Sequence, residues 1–222
     1  MLSSRISLHR AFSLPFVAIL FAFVGCSNDE EDITCSPIWV LERGQLTARH
    51  MVDNGELMLE VKNANQGVAV SISQDGLSGD FLITASFDAF APGTGSGGFA
   101  QMKVFDPVLP DQGICGASIG SGMIDAFVAY PGTSPDSRFT NDSSGEFIIQ
   151  RSGNRVTAKC TVGEKTASRT STFTDSDLTL SLEIGSNDEQ LSGTTTINIT
   201  EFMVSDSAGI SSDDFECDRV SL

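Results

Sequence analysis

The segment GDFLITASFDAF, residues 79–90, shows the clearest period-two alternation in the chain. Phe81, Ile83, Ala85, Phe87 and Ala89 occupy every second position, so in an extended strand they lie on one face. A strand with one apolar face has to bury that face against a second layer. The segment therefore predicts a half-buried β-strand in a layered protein.

The same alternation recurs along the chain after Pro37, without a convincing helical stripe and without an internal repeat. Further strands are predicted at ELMLEVK (56–62), GVAVSIS (67–73), FAQMKVF (99–105), MIDAFVAY (123–130), EFIIQR (146–151), RVTAKCTV (155–162), DLTLSLEI (177–184) and TTINITEFMV (195–204). Asn54-Gly55 before the first of these is a strong hairpin-turn signal. Ten to twelve short strands predict an all-β protein, a two-sheet antiparallel β-sandwich.

Two of these strands carry specific expectations about their faces. In GVAVSIS we expect Val68, Val70 and Ile72 on one face. In DLTLSLEI the three leucines and Ile184 are expected to point inward, while Thr179, Ser181 and Glu183 point outward.

Three C-terminal segments resemble the second half of concanavalin A-like lectin/glucanase jelly rolls, including laminin-G-like domains. These segments are GEFIIQRSGNRVTAKC (145–160), DLTLSLEIG (177–185) and TTTINITEFMVSD (194–206), and the segment at 79–90 resembles an early strand of the same fold. The likeness covers roughly residues 38 to 205 and is a strand pattern without a specific motif. It implies a jelly roll and, since the superfamily contains lectins and glucanases, a glycan ligand.

The N-terminus predicts export and a lipid anchor. Arg5 and Arg10 precede an apolar run, Ala11 to Val24, that is shorter than the roughly 20 residues of a transmembrane helix. Phe23-Val24-Gly25-Cys26 resembles a bacterial lipobox, which implies a signal peptide over 1–25 and a lipidated Cys26. The alternative is an ordinary signal peptide cut near Gly25.

Residues 26–36 are predicted to form an acidic tether, with residues 37–222 as the β-sandwich domain. Acidic residues after a lipidated cysteine, here SNDEED, resemble the surface-export signal of Bacteroidetes lipoproteins, and the alternative is a solvated linker. The resemblance implies an outer-membrane lipoprotein facing the cell surface. The chain's net charge of −16 disfavours nucleic acid and anionic lipid headgroups as partners.

Four cysteines remain beyond Cys26, namely Cys35, Cys115, Cys160 and Cys217. Export would place them in an oxidising compartment, so two disulfides are expected, with three possible pairings. The terminal strands of a jelly roll often lie side by side, so the resemblance favours Cys35–Cys217 together with Cys115–Cys160. No CxxC spacing indicates a zinc site.

Two catalytic patterns are present in form only, and a third is absent. Gly93–Gly98 contains GxGxxG, but a strand rather than a helix follows it, and Gly116–Gly120 matches GxSxG, with the only remaining histidine, His50, upstream. Glycoside hydrolysis requires two convergent carboxylates, and no E-x-D-x-E run occurs. We therefore predict no catalytic residues.

Ligand-binding candidates come from aromatic and arginine side chains. Tyr130, Arg138 and Arg151 are the candidate ligand residues, with Trp39 and Phe139 as further aromatic candidates. Tyr130 directly precedes the segment 131–145, which contains Arg138 and is long for a loop. In TNDSSGE, residues 140–146, Asn141, Asp142 and Glu146 supply hard oxygens that suit a structural Ca²⁺, the only cofactor considered.

The leading hypothesis is a surface lipoprotein whose jelly roll binds glycan, or another surface ligand, without catalysis. One alternative is a structural or assembly subunit that binds an envelope protein. The other is a divergent glycoside hydrolase, which would need a carboxylate pair in a cleft.

Overall fold

A computed structural model describes residues 39–94, 97–108, 112–120, 123–190 and 192–206, without the side chains of 112, 114–120, 188–190 and 206. Cys26, Cys35, Cys217 and the predicted signal peptide and tether lie outside the described residues. In the described part all regular structure is β-strand, and no helix there is long and apolar enough to cross a membrane.

The strands form two seven-stranded sheets in which every neighbouring pair is antiparallel. Sheet A contains, in spatial order, β1 (Val40–Arg43), β4 (Asn65–Leu77), β13 (Leu178–Gln190), β6 (Gly98–Phe105), β7 (Gln112–Gly120), β8 (Met123–Ala129) and β9 (Asp136–Thr140). Sheet B contains β12 (Lys165–Thr172), β11 (Arg155–Val162), β10 (Gly145–Ser152), β5 (Phe81–Thr94), β14 (Ser192–Asp206), β3 (Glu56–Lys62) and β2 (Ala48–Asp53). The predicted all-β, two-sheet antiparallel sandwich is confirmed.

The core lies between the two sheets and is built from alternate residues of each strand. Leu178, Leu180, Leu182 and Ile184 of β13 are buried there, as the alternation predicted. The predicted hairpin turn is also present, since Asn54 and Gly55 both have positive φ and join β2 to β3.

A bulge in β5 makes one predicted face wrong at its end. Phe81 to Phe87 alternate inward as expected, but Ala89 is exposed with a φ of 50°, and Phe90 takes the buried position. The register between β5 and β14 shifts at this point. An inserted residue reverses the side-chain alternation beyond it, which a strict period of two cannot anticipate.

Other features of the structure also differ from the sequence predictions, each for a local reason. Val68 is exposed rather than sharing the face of Val70 and Ile72, because the register of β13 with β4 shifts between Ile184 and Gly185. The segment 131–145 is not one long loop, since residues 136–140 form the edge strand β9. The glycine-rich segment at 93–98 connects β5 of sheet B to β6 of sheet A.

Candidate functional site

The outer face of sheet A, the face turned away from the core, combines polar and aromatic side chains. Its residues alternate with the core positions and lie in continuous rows across the strands. The described members include Val40, Glu42, Ser71, Ser73, Phe99, Gln101, Lys103, Phe105, Met123, Asp125, Phe127, Ala129, Ser137, Phe139, Thr179, Ser181 and Glu183. We refer to this set as the outer face of sheet A.

Glu183 lies at the middle of this face and is only 4% exposed. Lys103 Nζ lies 2.6 Å from its Oε1, and Gln101 Nε2 donates to its Oε2 at 2.6 Å. Ser181 Oγ donates to Oε1 at 3.0 Å. A carboxylate with so little access to water needs such charge pairing and donors. The sequence placed Glu183 outward correctly but gave no sign that it would be recessed.

Phe99 also belongs to this face and lies on β6, the central strand of sheet A, next to β13. It is buried, yet it is not part of the core between the sheets, and it lies in register with Gly185. A Cβ at Gly185 would come within 2.8 Å of the Phe99 ring and would overlap the Gly67 carbonyl oxygen. Glycine is therefore required at 185 for the ring and the neighbouring strand to approach so closely.

At the other end of the face, Asp125 of β8 is half-buried between aromatic residues. Phe127 follows it on the same face of β8, and Phe139 of β9 lies opposite it in register and is 45% exposed. Ser137 and the backbone N–H of Arg138 donate to its carboxylate, but burial outweighs them and raises the pKa of Asp125. Its Oδ1 is buried without a hydrogen-bond partner in the described structure.

Tyr130, a candidate ligand residue by sequence, is a buried core residue. Its hydroxyl lies 2.9 Å from the Val156 carbonyl oxygen and 3.1 Å from that of Arg169, and it accepts the Ala158 N–H at 3.0 Å. Its ring meets Phe173 edge-on at 6.0 Å. Tyr130 directly follows β8 of sheet A, and its hydroxyl therefore links this strand by hydrogen bonds to β11 and β12 of sheet B. Trp39 is likewise buried.

Arg151 is also placed inside the protein, with 2% of its surface exposed. Its guanidinium donates to the carbonyl oxygens of Gly153, Thr174 and Ser176 at 2.7–3.0 Å, and to Asp175 Oδ1 at 3.2 Å. These bonds fasten the β10–β11 turn to the connection between β12 and β13. With its donors used in this way, Arg151 is a structural residue and the ligand role predicted for it is corrected.

Arg138 is exposed, but it lies on the opposite side of its strand from Phe139. It is in register with the core residue Ala126, and its Nη1 lies 2.6 Å from Asp136 Oδ1. The structure therefore does not bring Tyr130, Arg138 and Arg151 together at one surface. Of the sequence-predicted aromatic and arginine candidates, Phe139 is the one that lies on the outer face of sheet A.

Of the three calcium candidates, Asp142 is hydrogen-bonded to the nearby Thr140. Asp142 Oδ2 accepts a hydrogen bond from Thr140 Oγ1 at 2.8 Å, and the Asp142 N–H donates to the same hydroxyl at 3.1 Å. Glu146 lies on β10, in register with Thr161 and Ser86, and Asn141 is exposed in the turn before it. Within the described ranges, no three His, Cys, Asp or Glu side chains are grouped so as to hold a metal ion.

Two of the four cysteines beyond Cys26 lie on described strands. Cys160 is buried on β11, and Cys115 is part of β7, which faces β11 across the sandwich. Cys115 lies in register with Met102 and Val128, both of which are core residues. Both disulfides stay predictions, because Cys35, Cys217 and the side chain of Cys115 are not among the parts of the chain that the structure describes.

The GxSxG segment, residues 116–120, lies in the extended strand β7, which is paired on both sides. A nucleophile elbow requires a sharp turn into a helix at that serine. The segment therefore lacks the backbone geometry of a hydrolase nucleophile.

No family model and no curated protein matches this chain. Among solved structures, it is similar to a prokaryotic β-1,3-1,4-glucanase (lichenase) derived from a mouse hindgut metagenome, with a TM-score of 0.52, 10% identity, and coverage of 77% of this chain and 92% of that one.

The chain is also similar to a Bacillus licheniformis β-glucanase (TM-score 0.50, 9% identity, 74% of this chain and 90% of that one). An alginate lyase from Klebsiella pneumoniae gives a TM-score of 0.51 at 9% identity, over 74% and 86% of the two chains. At such low identity these likenesses show the fold alone. The chain therefore has the fold of the concanavalin A-like jelly rolls.

Proposed function

We propose that the outer face of sheet A binds glycan without catalysis. The observation that carries the proposal is the juxtaposition of Phe127, Asp125 and the exposed Phe139 on that face. Aromatic rings offer flat apolar surface to the C–H face of a sugar, and neighbouring polar groups accept or donate to its hydroxyls. The similar solved structures include glucanases and an alginate lyase, so this fold accommodates polysaccharides in other proteins.

The middle of the face suits an extended ligand that crosses the strands. Gln101, Gly116 and Phe127 follow one another in a single cross-strand row, and Gly116 has no side chain to occupy its position. The side chains of Gln101 and Lys103 are both held by contacts with the Glu183 carboxylate on the neighbouring strand. Pre-oriented polar side chains lose less conformational entropy when a ligand binds.

The arrangement of the carboxylates supports binding rather than hydrolysis. Glu183 lies three strands from Asp125 and two strands from Glu42, which corresponds to about 14 Å and about 10 Å between their backbones at the usual spacing of β-strands. Glycosidases use carboxyl groups about 5 to 9.5 Å apart. The Glu183 carboxylate is in addition already bonded by Lys103, Gln101 and Ser181.

The proposal includes attachment to the outer membrane through Cys26 with the domain facing outward, which rests on the lipobox-like sequence and the acidic residues after it. Labelling cells with a clickable fatty acid tests the anchor, with Cys26→Ser as the matched variant. Label in the wild-type protein only supports the anchor, whereas equal label in both contradicts it. Protease accessibility on intact cells, with and without the acidic block, tests the orientation.

Glycan binding is tested by isothermal titration with soluble polysaccharides. Phe139→Ala is expected to weaken binding about fivefold to tenfold, given the usual strength of aromatic contacts. Met203→Ala is the matched control, because Met203 lies on sheet B and is 44% exposed, close to the 45% of Phe139. Equal effects of the two substitutions, or no polysaccharide bound by the wild-type protein, would contradict the proposal.

A further inference from the structure

Strand β2 lies at the edge of sheet B, with β3 as its hydrogen-bonded neighbour. The two-residue turn closes on the pair Asp53–Glu56, so the backbone groups of residues 53, 51 and 49 face β3 and those between them point away. The N–H of Ala48 accordingly donates to the Gln45 carbonyl oxygen of the preceding loop at 3.1 Å. The outward backbone groups of His50 and Val52 have no partner among the described residues.

The other three edge strands are protected against pairing with a further strand. β1 and β9 have only four and five residues, and short edges offer few backbone groups. On β12 the Ser168 N–H donates to Asp136 Oδ2 at 3.1 Å, and Lys165 and Arg169 place charge on the strand. Within the described residues, β2 receives no such bond to its backbone from another strand on its open side. An edge of this kind is a template for another chain.

The side chains around the open edge of β2 define which strand fits it. Arg49 and Met51 lie on the outer face of sheet B, turned away from the core, and Met51 is 52% exposed. Arg43 of β1 approaches from the other side, with its Nη2 3.4 Å from His50 Nδ1. Neither arginine forms a salt bridge with any residue that the structure describes, although Glu60 lies opposite Arg49 on β3.

These side chains favour an acidic and apolar pattern in the added strand. Cross-strand neighbours on one face of a sheet interact directly, so an acidic residue fits opposite Arg49 and an apolar residue fits opposite Met51. Asp53 follows on the same face and would repel an acid placed opposite it. A second copy of this chain fits less well, because each copy carries a net charge of −16 and the two would repel each other.

We infer that the open edge of β2 accepts an extended segment of another protein, with an acidic residue opposite Arg49 and an apolar residue opposite Met51. In such strand addition the main-chain hydrogen bonds supply affinity, and the alternate side chains supply specificity. The edge is separate from the outer face of sheet A, so a protein partner and a glycan occupy different surfaces.

The test uses a short synthetic peptide in which threonine alternates with one glutamate and two valines. The control peptide has lysine in place of the glutamate. Both are titrated into the isotope-labelled protein and followed by amide NMR. The amide proton signals of His50 and Val52 are expected to move downfield as they form hydrogen bonds. The glutamate peptide should bind about fivefold more tightly than the lysine peptide, as expected for a cross-strand charge pair.

Two substitutions separate the backbone contribution from the charge contribution. His50→Pro removes an outward N–H, and edge strands tolerate proline where the N–H points away from the sheet. Affinity should fall about tenfold, whereas the matched variant His50→Ala keeps the N–H and should bind like the wild-type protein. Arg49→Glu should reverse the preference, so that the lysine peptide binds more tightly. Circular dichroism confirms the folding of each variant.

Unchanged amide signals of His50 and Val52 with both peptides at millimolar concentration would overturn the inference. Equal affinities of His50→Pro and His50→Ala would do the same. Analytical ultracentrifugation tests the other occupant, since a dimer that forms in the wild-type protein and not in His50→Pro would assign this edge to a second copy of the chain. Glycan binding at the outer face of sheet A does not depend on these results, so the two proposals fail separately.

Discussion

The outer faces of the two sheets have similar alternating sequences but different environments. On sheet B, threonines of β11 and β12 pair across the strands at a partly exposed surface, with Oγ1–Oγ1 distances of 2.8 Å for Thr157–Thr170 and 3.1 Å for Thr161–Thr166. On sheet A, Ser181, Thr179 and Glu183 occupy equivalent outward positions, yet all three are buried. The threonines of sheet B are accessible to water, so their hydroxyl groups need no ligand. The buried polar side chains of sheet A are held by hydrogen bonds within the protein.

The difference teaches that outward alternation alone does not identify a solvated face. Sheet A has aromatic side chains among its outward polar residues and a charged network at its centre. Sheet B has short hydroxyl side chains that satisfy one another. The first arrangement is typical of a binding surface and the second of a solvated one.

The largest expected effect comes from Glu183. Glu183→Ala removes the partner of Lys103 and the acceptor of Gln101 and Ser181, so we expect the free energy of unfolding to fall by about 3 kcal/mol. Thr170→Ala on sheet B is the control and should cost about 0.5 kcal/mol or less, because its hydroxyl bond is exposed. Urea unfolding measures both. Equal small losses would mean that the two faces do not differ.

A smaller loss is expected at the contact that joins the two sheets. Tyr130→Phe leaves the Ala158 N–H and the Val156 carbonyl without the hydroxyl, which should cost about 2 kcal/mol in the free energy of unfolding. Glycan affinity should not change, since Tyr130 faces the core. A loss of affinity in a fully folded Tyr130→Phe protein would instead return this residue to the binding site.

Asp125 is expected to show a smaller effect on stability, with a defined pH dependence. Because burial raises its pKa in the folded state, the folded protein binds this proton more tightly than the unfolded chain does. Its contribution to stability therefore increases as the pH falls through the raised folded pKa towards the ordinary value. At neutral pH the ionised carboxylate is unfavourable, so Asp125→Asn should be more stable than the wild-type protein.

Thermal melting at several pH values measures this difference. We expect the advantage of Asp125→Asn to be largest at neutral pH and to shrink on acidification. A variant that is more stable and binds less well has lost a group kept for function. If Asp125→Asn were less stable at neutral pH, the unmet acceptor at Asp125 would not be a real feature of the folded protein.

The smallest effect is expected at Arg138. Its ion pair with Asp136 is exposed, so Arg138→Ala should change the free energy of unfolding by no more than about 0.5 kcal/mol. Glycan affinity should also be unchanged, because Arg138 is not on the outer face of sheet A. Titration of the same polysaccharide with both proteins checks this, and a clear loss of affinity would shift the binding surface towards the edge strand β9.

Much of the fold follows from alternation in the sequence. The segments at 56–62 and 155–162 form β3 and β11 with the predicted bounds, because one face of each is apolar and the other polar. β12 was missed because KTASRTST has one buried apolar residue, Ala167, and edge strands need little apolar surface. β9 was hidden in a segment rich in turn-forming residues.

The candidate site was harder to predict, because it depends on which strands become neighbours. Asp125 and Phe139 are 14 positions apart in sequence and meet only through the pairing of β8 with β9. Glu183 and Lys103 are further apart still. Tyr130 and Arg151 were proposed as ligand residues because tyrosine and arginine often bind sugars, but their polar atoms are used by backbone groups inside the protein.

The most direct test of the central claim is backbone amide NMR during titration with a neutral oligosaccharide. Binding at the outer face of sheet A predicts that the largest chemical-shift changes fall on β6, β8 and β9, with the amides of Phe127 and Phe139 among them, and that β11 and β12 change little. Changes concentrated on β11 and β12 of sheet B would contradict the account.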